Sequence, residues 1–335
     1  MSSTASETTH KPQLPPNLAS ELWQRHAAQE RKKLANAPTP VNSTAEISPE
    51  DRASFTEHLK SSTRVLALVG AGLSAASGIP TFRGAGGFWR EYDCMTLATP
   101  RAFAKDPALV WQFYNYRRHC ALVAEPNRAH VALAELAKKK PGFLAISQNI
   151  DGLCQRAGHP PENIQSVHGS LFSSRCTECA YVEHDNFADP LVPAFELPEH
   201  VDAADAKFPL KPIPLSALPR CPACRALLRP DVVWFGESLA VDAVARVDAW
   251  VRGDSEADGA KIDLMLVVGT SALVYPAAGY IHAARARGAR IAVFNMEQPE
   301  EEGSTSRLKE GDWFFQGDAS KLLPELLKEV VGEIS

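Results

Sequence analysis

The run Arg64-Val-Leu-Ala-Leu-Val69 and the turn Gly70-Ala71-Gly72-Leu-Ser74-Ala75 that follows it set the frame of this chain. The run is apolar and β-branched, the composition of a strand buried on both faces of a parallel sheet. The turn is expected to open a helix. A strand that stops at two glycines and feeds a helix outlines a nucleotide pocket. Glycines let the backbone approach phosphate oxygens, and a helix N-terminus offers unpaired N–H groups. The spelling Gly70-x-Gly72-x-x-Ala75 fits a relaxed dinucleotide fingerprint, a weak signal by itself. More specific is Gly78-Ile-Pro80-Thr81-Phe82-Arg83-Gly84-Ala-Gly86-Gly87-Phe88-Trp89. It is too glycine-rich for a helix and too aromatic for a spacer. It reads as a flap carrying one cation, Arg83, and ring surface over the pocket.

Further apolar strands are expected at Phe143–Ile146, Gln165–Val167, Leu264–Val268 and Arg290–Phe294. Helices are expected between or after them, at 241–252, 277–287 and 320–331. Ser48-Pro-Glu-Asp carries a cap, a first-turn proline and first-turn acids, and opens a helix leading into Arg64. Pro100 to Lys105, Pro107 to Val123 and Asn127 to Lys139 are also helical in pattern. Alternating apolar strands and helices imply an α/β fold, a Rossmann-like doubly wound parallel sheet. Residues 173–230 break the rhythm and read as a small inserted module. The sheet domain is then 49–172 and 231–335.

The chain has 335 residues and a net charge of −5. That balance argues against nucleic acid as a direct partner, because phosphate binding needs a basic surface. No apolar run reaches membrane-spanning length, so no membrane partner is expected. Residues 1–48 read as a mobile N-terminal extension with a short candidate helix between Leu18 and Leu34. They lack the apolar core of a signal peptide, and Glu7, Glu21 and Glu30 are unusual in a mitochondrial presequence. Cytoplasm or nucleus is the expected compartment, with the mitochondrion as the alternative.

Cys176-x-x-Cys179 and Cys221-x-x-Cys224 form a four-thiolate set suited to one structural Zn2+. The pairs lie 41 residues apart, wider than the roughly 15–20 of a common zinc ribbon. The segment 183–218 must therefore loop out between them. Cys94, Cys120 and Cys154 read as buried fillers.

Polar residues follow the expected strands, where ligands bind in an open parallel sheet. They are the loop after Val69, then Ser147-Gln148-Asn149-Ile150-Asp151, His168-Gly169-Ser170, Gly269-Thr270-Ser271, and Asn295-Met296-Glu297. His168, at a strand end before a glycine, is the acid–base candidate, since a histidine accepts a proton near neutral pH. Asn295 and Glu297 are placed to bind ribose hydroxyls.

Taken in order, these motifs and the two C-x-x-C pairs resemble the sirtuin family from about residue 50 onward. The resemblance implies NAD-dependent removal of acyl groups from protein lysines, giving nicotinamide and O-acyl-ADP-ribose. It implies that the acyl oxygen attacks C1′ of the nicotinamide ribose, that His168 deprotonates a ribose hydroxyl, and that water completes release. It places Gly70, Ala71, Gly72, Ser74, Ala75, Thr81, Phe82, Arg83, Trp89, Gln148, Asn149, Asp151, Gly269, Thr270, Ser271, Asn295, Glu297 and Ala319 around NAD. Peptide would add as a strand between Val233–Glu237 and Val274–Tyr275, with Val233, Phe235, Gly236, Glu237 and Tyr275 in contact. Trp111-Gln-Phe-Tyr114-Asn-Tyr-Arg117-Arg118 further resembles the signature of class III members, which prefer acidic acyl chains. There Tyr114 and Arg117 would bind the distal carboxylate of a succinyl, malonyl or glutaryl group, and Ala98 would leave room for it. Residues three apart on a helix share a face, so a phenol and a guanidinium can meet one carboxylate. The expected partners are acyl-lysine proteins, histones among them, and the enzyme is expected as a monomer.

Other readings stand beside this one. Within the same family, deacetylation or ADP-ribosyl transfer to protein is the alternative. A nicotinamide dehydrogenase would need an acid at the end of a second strand about 20 residues past the glycines. Glu91 and Asp93 have that spacing, but Gly84–Trp89 is no strand pattern. A zinc-ribbon histone-tail reader is the non-enzymatic alternative.

Overall fold

A computed structural model describes residues 47–81, 87–198, 201–253, 261–298 and 308–334. All of them fall in one compact unit, Thr39–Ser335. The expected helix between Leu18 and Leu34 and the flap residues Phe82 and Arg83 lie outside the described residues. In chain order the strands are β1 (Arg64–Val69), β2 (Phe88–Trp89), β3 (Tyr92–Asp93), β4 (Gly142–Ser147), β5 (Ile164–Ser166), β6 (Gly169–Cys176), β7 (Val182–Glu183), β8 (Leu228–Val232), β9 (Leu264–Val268), β10 (Arg290–Asn295) and β11 (Trp313–Gln316).

Six of these form a parallel sheet in the order β11-β10-β9-β1-β4-β5. The chain builds outward from β1 to β4 and β5, then returns to the other side of β1 and builds out again. That is the doubly wound arrangement, and its switch point lies between β1 and β9. Register sets the strand ends level: Val69 pairs with Ser147 on one side and Val268 on the other, and Val268 pairs with Phe294. The turns that leave these residues therefore emerge along one rim. Strand β11 is an addition to the expected set.

Helices cover both faces. On one, the helices Pro49–Ser61, Arg128–Lys139 and Ala319–Val331 bury Phe55, Leu59, Leu133, Leu136 and Leu323 against the sheet. Ser48 caps the first of them by accepting from the Asp51 amide at 3.0 Å, with Pro49 at its first turn. Phe55 meets Phe294, Trp313 and Phe315 edge-on. On the other face, the helices Val241–Arg252 and Gly279–Ala286 bury Val247, Val251 and Ile281. Burying one such side chain contributes about 1.5–3 kcal/mol.

A second lobe has its own core. The antiparallel sheet β7-β6-β8 packs with Trp89, Phe103, Trp111, Phe113, Tyr114 and Trp234. Core packing therefore groups Ile79 and residues 89–124 with the cysteine-bearing module, although the sequence pattern assigns them to the sheet domain. The reason is the long helix Pro107–Val123. Its Trp111 Nε1 donates to the Leu228 carbonyl at 2.9 Å. Its Arg118 donates to the carbonyls of Leu171, Asn186 and Ala188. The segment 183–218 folds back on this same helix. Asn115 accepts from the Leu191 amide at 3.1 Å, and His119 pairs with Asp189.

Candidate active site

The glycine turn after β1 interlocks with the turn after β9. A Cβ on Gly70 would lie 2.7 Å from Thr270 Cβ, and one on Gly72 would lie 2.7 Å from Gly269 Cα. Gly269 has φ +58°, and a Cβ there would lie 2.4 Å from the Leu73 amide nitrogen. The amides of Gly70 and Gly72 donate to Val268 and Gly269 carbonyls at 2.9 and 2.8 Å. These glycines thus serve the approach of one turn to the other, and their amides are engaged within the protein. The helix they open is a single turn, Gly72–Ala75. A side chain at Gly70 or Gly72 would block this approach of the facing loop.

Behind this junction a buried polar set is built. Ser74 Oγ donates to Asp151 Oδ2 at 2.7 Å and accepts from Asn149 Nδ2 at 3.2 Å. Asn149 Nδ2 also donates to the Gly70 carbonyl at 3.0 Å, while Asp151 Oδ1 accepts from the Leu153 amide at 2.9 Å. Burial pushes the Asp151 carboxyl up, opposed by its hydrogen bonds from Leu153 and Ser74 and by the charge of Arg117. His130 Nε2 lies 3.2 Å from Ser74 Oγ. Its Nδ1 accepts from the Asn127 amide at 3.2 Å, so Nε2 carries the proton and donates to Ser74. The sequence pattern assigns His130 no role in the site. The signal was Asn127-x-x-His130, a capping box that anchors the histidine at a helix start.

His168 joins the same rim. Its Nδ1 is 2.9 Å from the Gln148 carbonyl, and Gln148 Nε2 donates to Thr270 Oγ1 at 3.1 Å. The Val233 amide donates to the His168 carbonyl at 2.9 Å, tying the second lobe to this turn. Farther along, Asn295 Nδ2 donates to the Thr270 carbonyl at 3.3 Å, and the Gly317 amide to the Asn295 carbonyl at 2.9 Å. Ala319 is buried at the start of the last helix, Ser271 is half-buried, and Glu297 and Ala75 are exposed. Ala71 and Thr81 are half-buried, and Trp89 is buried in the second core. All five expected turns are thus joined in one hydrogen-bonded chain. Their character fits a dinucleotide: a polar rim at the switch point, with His168 Nε2 and Asn149 Oδ1 unpartnered among the described residues.

The acyl-chain candidates lie on the second lobe. Tyr114 is 2% exposed and accepts from Trp234 Nε1 at 2.9 Å. Burial pushes its phenol up, while Arg117 opposes that rise. Arg117 is half-buried, its guanidinium carbon 5.7 Å from the Phe113 ring centroid. It also opposes the burial-driven rise of the Cys94 thiol. Ala98 is buried, and its carbonyl accepts from the Phe235 amide at 2.9 Å. Phe235 and Tyr275 are exposed, and Gly236 has φ +88°. The Glu237 carboxylate is held by Arg229 at 2.6 and 2.9 Å and by the Trp234 amide at 2.9 Å. Its side chain therefore fixes the turn.

The four sulfurs of Cys176, Cys179, Cys221 and Cys224 lie within 4.8 Å of one another. Cys176–Cys224 and Cys179–Cys221 are 3.4 and 3.6 Å apart. Tetrahedral Zn–S bonds of about 2.3 Å put sulfurs roughly 3.8 Å apart, so this set fits one Zn2+ with no open position.

The chain matches the family model described as the Sir2 family over residues 70–276. It is 42% identical over 306 residues to an NAD-dependent protein deacylase of Candida albicans, covering 84% of this chain and 98% of that one. It is 43% identical over 284 residues to the NAD-dependent protein deacylase sirtuin-5A, mitochondrial, of Xenopus laevis, covering 82% and 84%. Among solved structures it is similar to a Sir2 homolog–NAD complex, with TM-score 0.67 and 35% identity over 84% of this chain and 95% of that one. A Sir2–p53 peptide–NAD+ complex is also similar, with TM-score 0.63 and 26% identity over 82% and 96%.

Proposed function

The chain belongs to the Sir2 family, and from that premise we propose that it removes acidic acyl groups, succinyl, malonyl or glutaryl, from protein lysines. It is an NAD-dependent protein deacylase of the class III, sirtuin-5 type. Acylated proteins are its substrates. The observation that carries the acidic preference is the helix Pro107–Val123. Their three-residue spacing puts Tyr114 and Arg117 on one side of that helix, where the charge of Arg117 acts on the Tyr114 phenol. A charge-assisted hydrogen bond to the distal carboxylate contributes about 1.5–3 kcal/mol, enough to favour a carboxylated chain over acetyl.

NAD, when bound, supplies the ribose carbon that takes the acyl oxygen and gives up nicotinamide. His168 accepts a ribose-hydroxyl proton at Nε2, the nitrogen its bond to Gln148 leaves basic. Asn149 and Asp151, fixed by Ser74, hold the nicotinamide end. Asn295, Glu297 and the start of the last helix hold the adenosine end. The peptide adds its main chain between Val233–Glu237 and Val274–Tyr275, a mode with little sequence demand, which admits histones among many substrates. The zinc holds the second lobe together and takes no part in the chemistry.

Acetyl, malonyl, succinyl and glutaryl peptides with NAD test this reading. Succinyl-peptide turnover no faster than acetyl-peptide turnover would refute it, and ADP-ribosylated protein among the products would support the transferase alternative. The vertebrate relatives carry "mitochondrial" in their names, which favours that compartment for this chain over cytoplasm or nucleus. Imaging a tagged protein with and without residues 1–46 decides it, and sedimentation tests the monomer.

A further inference from the structure

We infer that Trp234 is a positioning residue for acyl selectivity: its indole N–H fixes Tyr114 so that the phenol proton is left for the distal carboxylate of the substrate. The inference rests on Tyr114 being a carboxylate reader. Trp234 is 2% exposed, and its Nε1 lies 2.9 Å from the Tyr114 oxygen. An indole nitrogen only donates, so the tyrosine oxygen is the acceptor in this bond. The phenol's single donor is then unpartnered among the described residues. With burial pushing its pKa up, the group stays protonated at neutral pH.

Trp234 is itself held from three sides. The Arg229 guanidinium carbon lies 3.4 Å from its ring centroid, and the Phe103 ring lies 5.3 Å away. Glu237 binds Arg229 through both oxygens and accepts from the Trp234 amide. A cation against the indole face draws electron density from the ring and makes its N–H a stronger donor. Remove that N–H and the phenol can turn its hydrogen elsewhere. A carboxylate acceptor would feel the change; an acetyl chain, with no distal acceptor, would not feel it in the same way.

The experiment compares kcat/KM for succinyl and acetyl peptides in wild type, Tyr114→Phe, Trp234→Phe and the double variant. Tyr114→Phe should lower the succinyl-to-acetyl ratio by about tenfold or more, and Trp234→Phe by about three- to tenfold, mainly through KM for the succinyl peptide. The double variant should match Tyr114→Phe alone, because the two act on one contact. General damage to the fold would lower both activities and leave the ratio standing, which overturns the inference. So would losses that multiply. A ratio untouched by Tyr114→Phe instead refutes the carboxylate reading beneath it. If Trp234→Phe does not fold, the indole 15N resonance of Trp234 in the full chain decides. It should move in Tyr114→Phe, and in the wild type it should move further on adding succinyl peptide with NAD than on adding acetyl peptide with NAD. A resonance that ignores Tyr114→Phe overturns the inference.

Discussion

Nδ1 of His168 lies 2.9 Å from the main-chain oxygen of Gln148. A carbonyl only accepts, so Nδ1 carries the proton and Nε2 is the base. Burial pushes the imidazole below its usual range, opposed by the Gln148 bond. The base is therefore ready at neutral pH and is lost only in acid. We expect kcat/KM to fall on the acid side, below about pH 6.5. His168→Tyr should lower turnover by about 10²–10⁴-fold with melting temperature and zinc content unchanged. An identical acid limb in the residual activity of His168→Gln would assign it to another group.

Arg117 supplies a fixed charge near Tyr114 and Cys94. Replacing it by methionine keeps the stem and removes the charge. Arg117→Met should lower succinyl-peptide kcat/KM by about ten- to a hundredfold, and acetyl-peptide kcat/KM far less. Equal losses on the two peptides would refute the carboxylate contact.

Gly269 carries strain and crowding together: φ is +58°, and a Cβ would lie 2.4 Å from the Leu73 nitrogen. Gly236 has φ +88° with nothing within 4 Å of its Cβ position. Gly269→Ala should cost about 1–3 kcal/mol from overpacking, on top of roughly 1–2 kcal/mol from the left-handed backbone. Gly236→Ala should show the second part alone. Denaturant melts of the pair separate the two terms, and equal losses would contradict the interlocked turns.

The rim was legible in the sequence because each turn follows an apolar run that ends abruptly in polar residues, and parallel register aligns such ends. The strand at Trp313 was missed because Trp-Phe-Phe-Gln is short and aromatic, without a run long enough to separate strand from loop. The second core was not legible either. Pro107–Val123 reads as an ordinary helix, and only the contacts of Trp111 and Arg118 with carbonyls more than fifty positions away show which lobe it joins. The pairing of Trp234 with Tyr114 and of His130 with Ser74 was hidden for the same reason, since contacts so distant in sequence leave no local spacing to read.

Cys221 is buried in the second core beside Leu218 and Leu228, while the dinucleotide turns belong to the large sheet. Zinc loss should therefore melt one lobe before the other. Cys221→Ser or chelation should release one equivalent of zinc, lower the melting temperature and abolish peptide turnover. NAD affinity should change only a few-fold, read by calorimetry. Simultaneous loss of NAD binding would mean that the two lobes unfold as one.

His130 makes a test of stability against pH. It is fully buried between Asn127 and Ser74, and burial lowers its pKa from 6.5 to about 4. In the unfolded chain it takes a proton near pH 6.5 that the native state refuses until about pH 4. The unfolded state therefore binds more protons inside that window, and stability rises with pH there. The contribution is fully present above 6.5 and is lost as pH falls toward 4. Its size is on the order of 3 kcal/mol. His159, lowered in the same direction by burial, adds to the slope. Unfolding free energy measured across this range should fall with acid in wild type and fall less steeply in His130→Asn, whatever that variant loses at neutral pH. Parallel curves for the two proteins would show that the buried imidazole is not the group that titrates.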